Sequence, residues 1–226
     1  MFNLKNVVVL AMSLLSTPLP HAYADGNGFI NHGVMAPISE IRGSTVAIDA
    51  NGRPLYLIFL RDIPGDSEAR ISMVIVDLKE KNYEQVWFSS PKDLNGDSYC
   101  LFVSKKGRLY LSVSRQLFEY DLASRKIVGH HTDLPGPAMS MDEDSDGMIY
   151  FSVYPTSDLF RYSPNDQSLQ RLVKLDPVEQ YPSSMGIDEA GWVYVGIGTA
   201  HANLVAYHPK TGERKSLIPE GERIRG

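Results

Sequence analysis

A second cysteine is missing from the 226 residues, so Cys100 cannot enter an internal disulfide, and its place in the apolar strand Tyr99 to Val103 reads as a buried, inert thiol. A basic surplus is missing too. With 22 Lys+Arg against 27 Asp+Glu and a formal charge of −5, the chain has no cationic face to screen phosphates, which argues against nucleic acid as a partner. No apolar run approaches the roughly 20 residues that span a bilayer, and no segment after the N-terminal region keeps a three-to-four-residue apolar period, so helix content is expected to be very low. Gly-rich phosphate loops, C-x-x-C pairs, H-E-x-x-H and a nucleophile elbow are all absent. Nucleotide-binding, zinc-hydrolase and serine-esterase readings therefore lose their usual support.

What is present begins with a leader. Lys5 supplies a positive start, Val7 to Leu15 an apolar core, and Ala22-Tyr23-Ala24 a small-x-small cleavage site before Asp25. Residues 1–24 are read as a signal peptide, which implies an exported protein, periplasmic or extracellular, with no membrane anchor after cleavage. Residues 25–43 are read as a lead segment or a ring-closing strand.

The rest is repetitive. A polar turn followed by an apolar, tyrosine-containing strand recurs: Asn51-Gly52 before Leu55-Tyr56-Leu57, Lys106-Gly107 before Leu109-Tyr110-Leu111, Asp146-Gly147 before Ile149-Tyr150-Phe151, and Gly191 before Val193-Tyr194-Val195. A second landmark closes each third strand at Val76-Asp77, Tyr120-Asp121, Tyr162-Ser163 and Tyr207-His208. A spacing of about 44 residues with four short strands per unit is that of a β-propeller blade. Period-two alternation of Ile149, Phe151 and Val153 with Tyr150, Ser152 and Tyr154 agrees. The fold expected is all-β, a β-propeller of about four four-stranded blades over residues 44–91, 97–134, 138–176 and 183–218, as a small closed ring or a partial one. A partial ring leaves its end blades uncovered, so self-association or additional blades are expected partners.

In a four-stranded meander the first and third turns share one end, and the second turn and the link to the next blade share the other. The first end carries short hairpins; the second carries longer loops, where functional side chains tend to gather. There the sequence places His130, His131, Tyr154 and Arg115 as candidate catalytic residues, and Tyr181, His201, Arg61 and Glu179 as candidate substrate-binding residues. Arg can neutralise a substrate carboxylate while His or Tyr moves the adjacent proton. The same residues, read without function, are solvated or locally packed side chains. Tyr181, Tyr154 and Trp192 are also candidate sugar platforms.

Asp142, Asp144 and Asp146 with Gly147 form D-x-D-x-D-G, the opening of a calcium loop, and raise a divalent metal as a possible cofactor. Position twelve of that register is Val153 instead of Glu, which favours a plain acidic turn.

Across roughly residues 97 to 220 the repeat resembles that of exported bacterial propellers grouped around streptogramin lyase. The best match runs Gly186-Ile187-Asp188, Gly191-Trp192-Val193-Tyr194, then Tyr207-His208-Pro209-Lys210-Thr211-Gly212. It also resembles the propellers of uronate-polysaccharide lyases, in which loop His, Tyr and Arg residues carry the elimination chemistry. These resemblances imply a propeller with more blades than this chain. The function they suggest is binding, with cleavage by β-elimination, of an acidic carbohydrate. The other reading is a non-catalytic scaffold, or a fragment of a larger propeller.

Overall fold

The computed structural model describes residues 23–24, 30–31, 38–63, 70–88 and 100–224. Two-residue strands β1 (Tyr23–Ala24) and β2 (Ile30–Asn31) pair with each other, while residues 1–22 of the expected leader lie outside the described residues. Sixteen further strands form four antiparallel sheets of four. Sheet 1 comprises β3 (Ile38–Ile48), β4 (Pro54–Ile63), β5 (Arg70–Asp77) and β6 (Asn82–Trp87). Sheet 2 comprises β7 (Cys100–Val103), β8 (Arg108–Val113), β9 (Gln116–Asp121) and β10 (Lys126–His131). Sheet 3 comprises β11 (Ala138–Glu143), β12 (Ile149–Val153), β13 (Asp158–Ser163) and β14 (Ser168–Lys174). Sheet 4 comprises β15 (Pro182–Ile187), β16 (Val193–Ile197), β17 (Asn203–His208) and β18 (Glu213–Ser216). A 3-10 turn at Glu220–Glu222 follows, and no described helix is long and apolar enough to cross a membrane.

Strand β3 starts at Ile38, inside the segment read as a lead. Its alternation is interrupted by a register shift between Ile41 and Gly43, so the sequence pattern becomes visible only after the bulge. The first sheet thus begins earlier than residue 44.

The turns repeat in chemistry as well as position. In the first turn, Asp49 Oδ1 accepts the Asn51 and Arg53 amides, Asp144 Oδ1 those of Asp146 and Met148, and Asp188 Oδ1 that of Trp192. Ser104 takes the same place before Arg108. Gly52, Gly107, Gly147 and Gly191 close these turns at φ +75, +71, +80 and +86, where a side chain would be strained. In the third turn, Asp77 and Asp121 each accept two amides.

The sheets stack in sequence order, and each junction joins opposite faces. The face of sheet 2 bearing Leu109, Leu111 and Val113 packs on Leu55, Leu57 and Phe59 of sheet 1. Ile149, Phe151 and Val153 of sheet 3 pack on Tyr110 and Leu117 of sheet 2, and Val193, Val195 and Ile197 of sheet 4 on Tyr150 and Leu159 of sheet 3. We call the face that meets the preceding sheet leading and its opposite trailing.

This arrangement corrects one alignment. Tyr56 was paired with Tyr110, Tyr150 and Tyr194, but it stands four residues after its turn glycine and they stand three after theirs. One residue reverses the face of a strand. Leu55 and Leu57 therefore occupy the trailing face, while Tyr56 and Ile58 point out on the leading face. Among the described residues no core joins sheet 4 to sheet 1.

Candidate functional site

At the end formed by the second turns and links, the junction of sheets 3 and 4 gathers the most chemistry. Tyr154 follows β12, and its ring lies 4.7 Å from that of Tyr181 at an interplanar angle of 35°, the two hydroxyls 3.5 Å apart. The link carrying Tyr181 is fixed by Asp176. Its buried carboxylate accepts the Val178 and Glu179 amides at 2.9 Å and Asn203 Nδ2 at 3.0 Å, with Arg223 Nη1 at 3.6 Å. Burial alone would push this carboxyl up, but those amides, Asn203 and Arg223 together hold it below the usual carboxylate range. From the other side, Ser157 Oγ donates to the Glu179 carbonyl, and the Gly198 amide donates to the Tyr181 carbonyl at 3.0 Å.

Glu179 is itself buried, with Oε2 accepting the Thr199 amide at 3.2 Å. Gly198, at φ +100, leaves room for it, since a Cβ there would lie 2.8 Å from Oε2. Glu179 is thus used internally, as a brace for the loop that carries His201. His201 Nε2 faces Glu220 Oε1 at 3.7 Å. Tyr181 and Val178 remain exposed and give the cluster an apolar rim.

The other candidates sit elsewhere. Arg115, in the turn between β8 and β9, donates from Nε to the Leu134 carbonyl at 2.7 Å. Two residues further on, Gly136 presses against the Tyr154 carbonyl, where a Cβ would lie 1.8 Å from the oxygen. Arg115 is thus joined to the Tyr154 backbone only through the segment from Leu134 to Gly136. Arg61, on β4, lies 3.6 Å from Glu40, which also pairs with Arg42.

The two histidines are residues of β10, not of a link, and β10 is the edge strand of its sheet, three strands from β7. Neighbours on a strand face opposite ways. His130 stacks on Phe118 at 4.3 Å and 9°, and its Nε2 is 2.7 Å from Gln116 Oε1. His131 turns toward sheet 3 and meets Tyr162 edge-on at 5.1 Å. Burial first, and His130 second, push the His131 imidazole below its ordinary value. The two rings thus lie on opposite faces of β10.

The calcium candidate divides in the same way. Asp142 Oδ2 accepts the Ile187 amide of sheet 4 at 2.9 Å, while Asp144 caps its own turn. Among the described residues no three His, Cys, Asp or Glu side chains converge on a metal position. Cys100 packs at the junction of sheets 2 and 3, where burial pushes its thiol up to about 12. Trp192 packs edge-on to His208 at 5.1 Å, with Lys215 Nζ 4.5 Å from its ring centre.

A second polar cluster lies at the opposite end, between sheets 2 and 3, and sequence reasoning missed it. Glu119, 3% exposed, accepts Tyr162 Oη at 2.5 Å, Arg108 Nη1 at 3.2 Å and Tyr110 Oη at 3.5 Å. Burial and the neighbouring carboxylate push both tyrosines upward. Arg108, Tyr110 and Glu119, with Lys106 and Glu143, line a cavity of about 100 Å³. The available signal was an acidic residue inside the apolar alternation of β9.

No protein-family model matches the chain, and no curated protein sequence matches it. Solved structures do. Virginiamycin B lyase from Staphylococcus aureus superposes with a TM-score of 0.57 at 12% identity, over 80% of this chain and 59% of that one. The fold is a β-propeller. A streptogramin B lyase aligns with a TM-score of 0.55 at 13% identity, over 83% of this chain and 57% of that one. The β-propeller domain of Cps50 (Swd1) from Myceliophteria thermophila aligns at 0.53 and 14%, over 80% and 73%. The chain spans less than two thirds of both lyases. Neighbours that include an antibiotic lyase and a Swd1 domain share architecture with it, and architecture does not specify chemistry.

Proposed function

We propose that this propeller is exported and binds an acidic carbohydrate at the junction of sheets 3 and 4, without cleaving it. The supporting observation is the ring pair formed by half-buried Tyr154 and exposed Tyr181, the latter on a link braced by Asp176. Aromatic faces in a fixed orientation pack against the apolar face of a sugar ring, and preorganisation limits the ordering cost of binding. Arg115, exposed and bonded to the Leu134 carbonyl at the same end, supplies a cation for a carboxylate. His130 and His131 are held apart on opposite faces of β10, which removes the paired base that elimination would use. The leader read at residues 1–24 supports export.

Calorimetric titration with uronic-acid oligosaccharides tests the reading. Binding is expected to fall at least tenfold in Tyr181→Ala, with the fold retained. Accumulation of unsaturated uronate product would overturn the non-cleaving half, and absence of binding by the unaltered chain would overturn the other.

A further inference from the structure

The two ends of the stack are uncovered in complementary ways. In sheets 2, 3 and 4 the leading faces are sealed: Leu109, Leu111, Ile149, Phe151, Val193 and Val195 are all 0% exposed. The leading face of sheet 1 is equally apolar but open. Register pairs Val46 and Ile48 with Tyr56 and Pro54, Val76 with Tyr56 and Tyr83, and Ile41 with Leu60. Ile41 is 69% exposed, Val46 and Ile48 64%, and Tyr83 and Trp87 about half.

At the far end, Leu204 holds in sheet 4 the place of Leu117 in sheet 2 and Leu159 in sheet 3, opposite Gly196, Ser112 and Ser152 respectively. Leu117 is 1% and Leu159 0% exposed beneath the next sheet, but Leu204 is 37% exposed. Around it, Ser184 is small and Gly186 and Gly196 carry no side chain, which leaves room for large ones.

We propose that the leading face of sheet 1 docks on the trailing face of sheet 4 of a second copy, so that two chains form one ring of eight sheets. The contact repeats the leading-on-trailing packing that the chain already uses three times within itself. Four sheets align with 57–59% of two lyase chains and 73% of a third propeller domain, less than the whole of each. Two copies close a ring within the four-to-eight-blade range of propellers. Head-to-tail contacts that close use both faces of each copy and stop growth. The association does not depend on carbohydrate binding.

Light scattering with size-exclusion chromatography on the 226-residue chain, expressed with its leader, tests the assembly against the single-chain mass obtained under denaturing conditions. Twice that mass is expected, without larger species. Val46→Glu and Leu204→Glu alter exposed side chains, so each is expected to keep its far-ultraviolet circular dichroism yet run as a monomer alone. Mixed, they are expected to form a heterodimer, because the intact sheet 4 face of Val46→Glu meets the intact sheet 1 face of Leu204→Glu. A monomeric unaltered chain would overturn the proposal, its end faces then being covered from within or left bare. A Leu204→Glu variant that stays dimeric would overturn it in favour of two sheet 1 faces meeting. A mixture that stays monomeric would exclude head-to-tail contact.

Discussion

Tyr162→Phe removes one oxygen and tests the junction of sheets 2 and 3. The hydroxyl donates at 2.5 Å to Glu119 Oε2, and the carboxylate, 3% exposed, has little water to replace it. A hydrogen bond to a charged group contributes about 1.5–3 kcal/mol, and one lost at a buried site is not recovered by solvation. Arg108 at 3.2 Å still serves Glu119 Oε1, so the carboxylate is weakened instead of abandoned, and a loss of about 2 kcal/mol is expected. For a chain of this size that lowers the melting midpoint by roughly 4–8 °C. Tyr194→Phe, made in the Leu204→Glu variant so that no second copy covers it, is the matched control: its hydroxyl also donates to an aspartate, Asp188 Oδ2 at 2.9 Å, but in solvent. Calorimetric melts of both variants decide the matter. Equal shifts would mean that burial at this junction does not strengthen the bond, and the reasoning would fail.

Gly107→Ala forces a side chain into the left-handed region at φ +71 and to within 2.8 Å of the Ala50 amide nitrogen, so a loss of at least about 1–2 kcal/mol is expected in urea unfolding. Asp77 and Asp121 are held below the usual carboxylate range chiefly by the Glu80 and Ser124 amides. Their contribution is complete above about pH 4 and is lost as pH falls through the lower folded-state values, so replacing both with Asn should flatten the acid limb of a stability titration. His131 has a depressed folded-state value, so it favours the native state above about pH 6.5 and withdraws that support as pH falls toward its folded-state value. His131→Phe, which preserves the ring contact with Tyr162, should remove that slope in urea titrations taken downward from about pH 6.5.

The repeat was legible because turn chemistry is local. An Asp or Ser three residues before a left-handed glycine folds its own turn, wherever the rest of the chain goes, and period-two alternation marks the strands on either side. The face that each strand turns inward was less legible in sheet 1. Pro54 occupies the place of Leu109 and Leu55 that of Tyr110, yet the tyrosine one position later makes the two segments look superposable. Two apolar faces give alternation no means of choosing between them. Only the stacking of sheet 2 on Leu55 and Leu57 does so.

The site was legible to the extent that its residues were loop residues. Tyr154 and Tyr181 meet because a second turn and a link arrive at the same end of neighbouring sheets, and meander connectivity alone requires that. His130 and His131 illustrate the opposite case. Side by side in sequence, they invite a shared role when read as loop, but β10 continues through them, and strand geometry sends one to Phe118 and the other to Tyr162. The Glu119 cluster needed three elements from two sheets, with 43 residues separating Tyr162 from its acceptor, so no local pattern could reveal it. What local chemistry determines in this chain is therefore the turn and the strand. What the stacking of sheets determines is which side chains can act together.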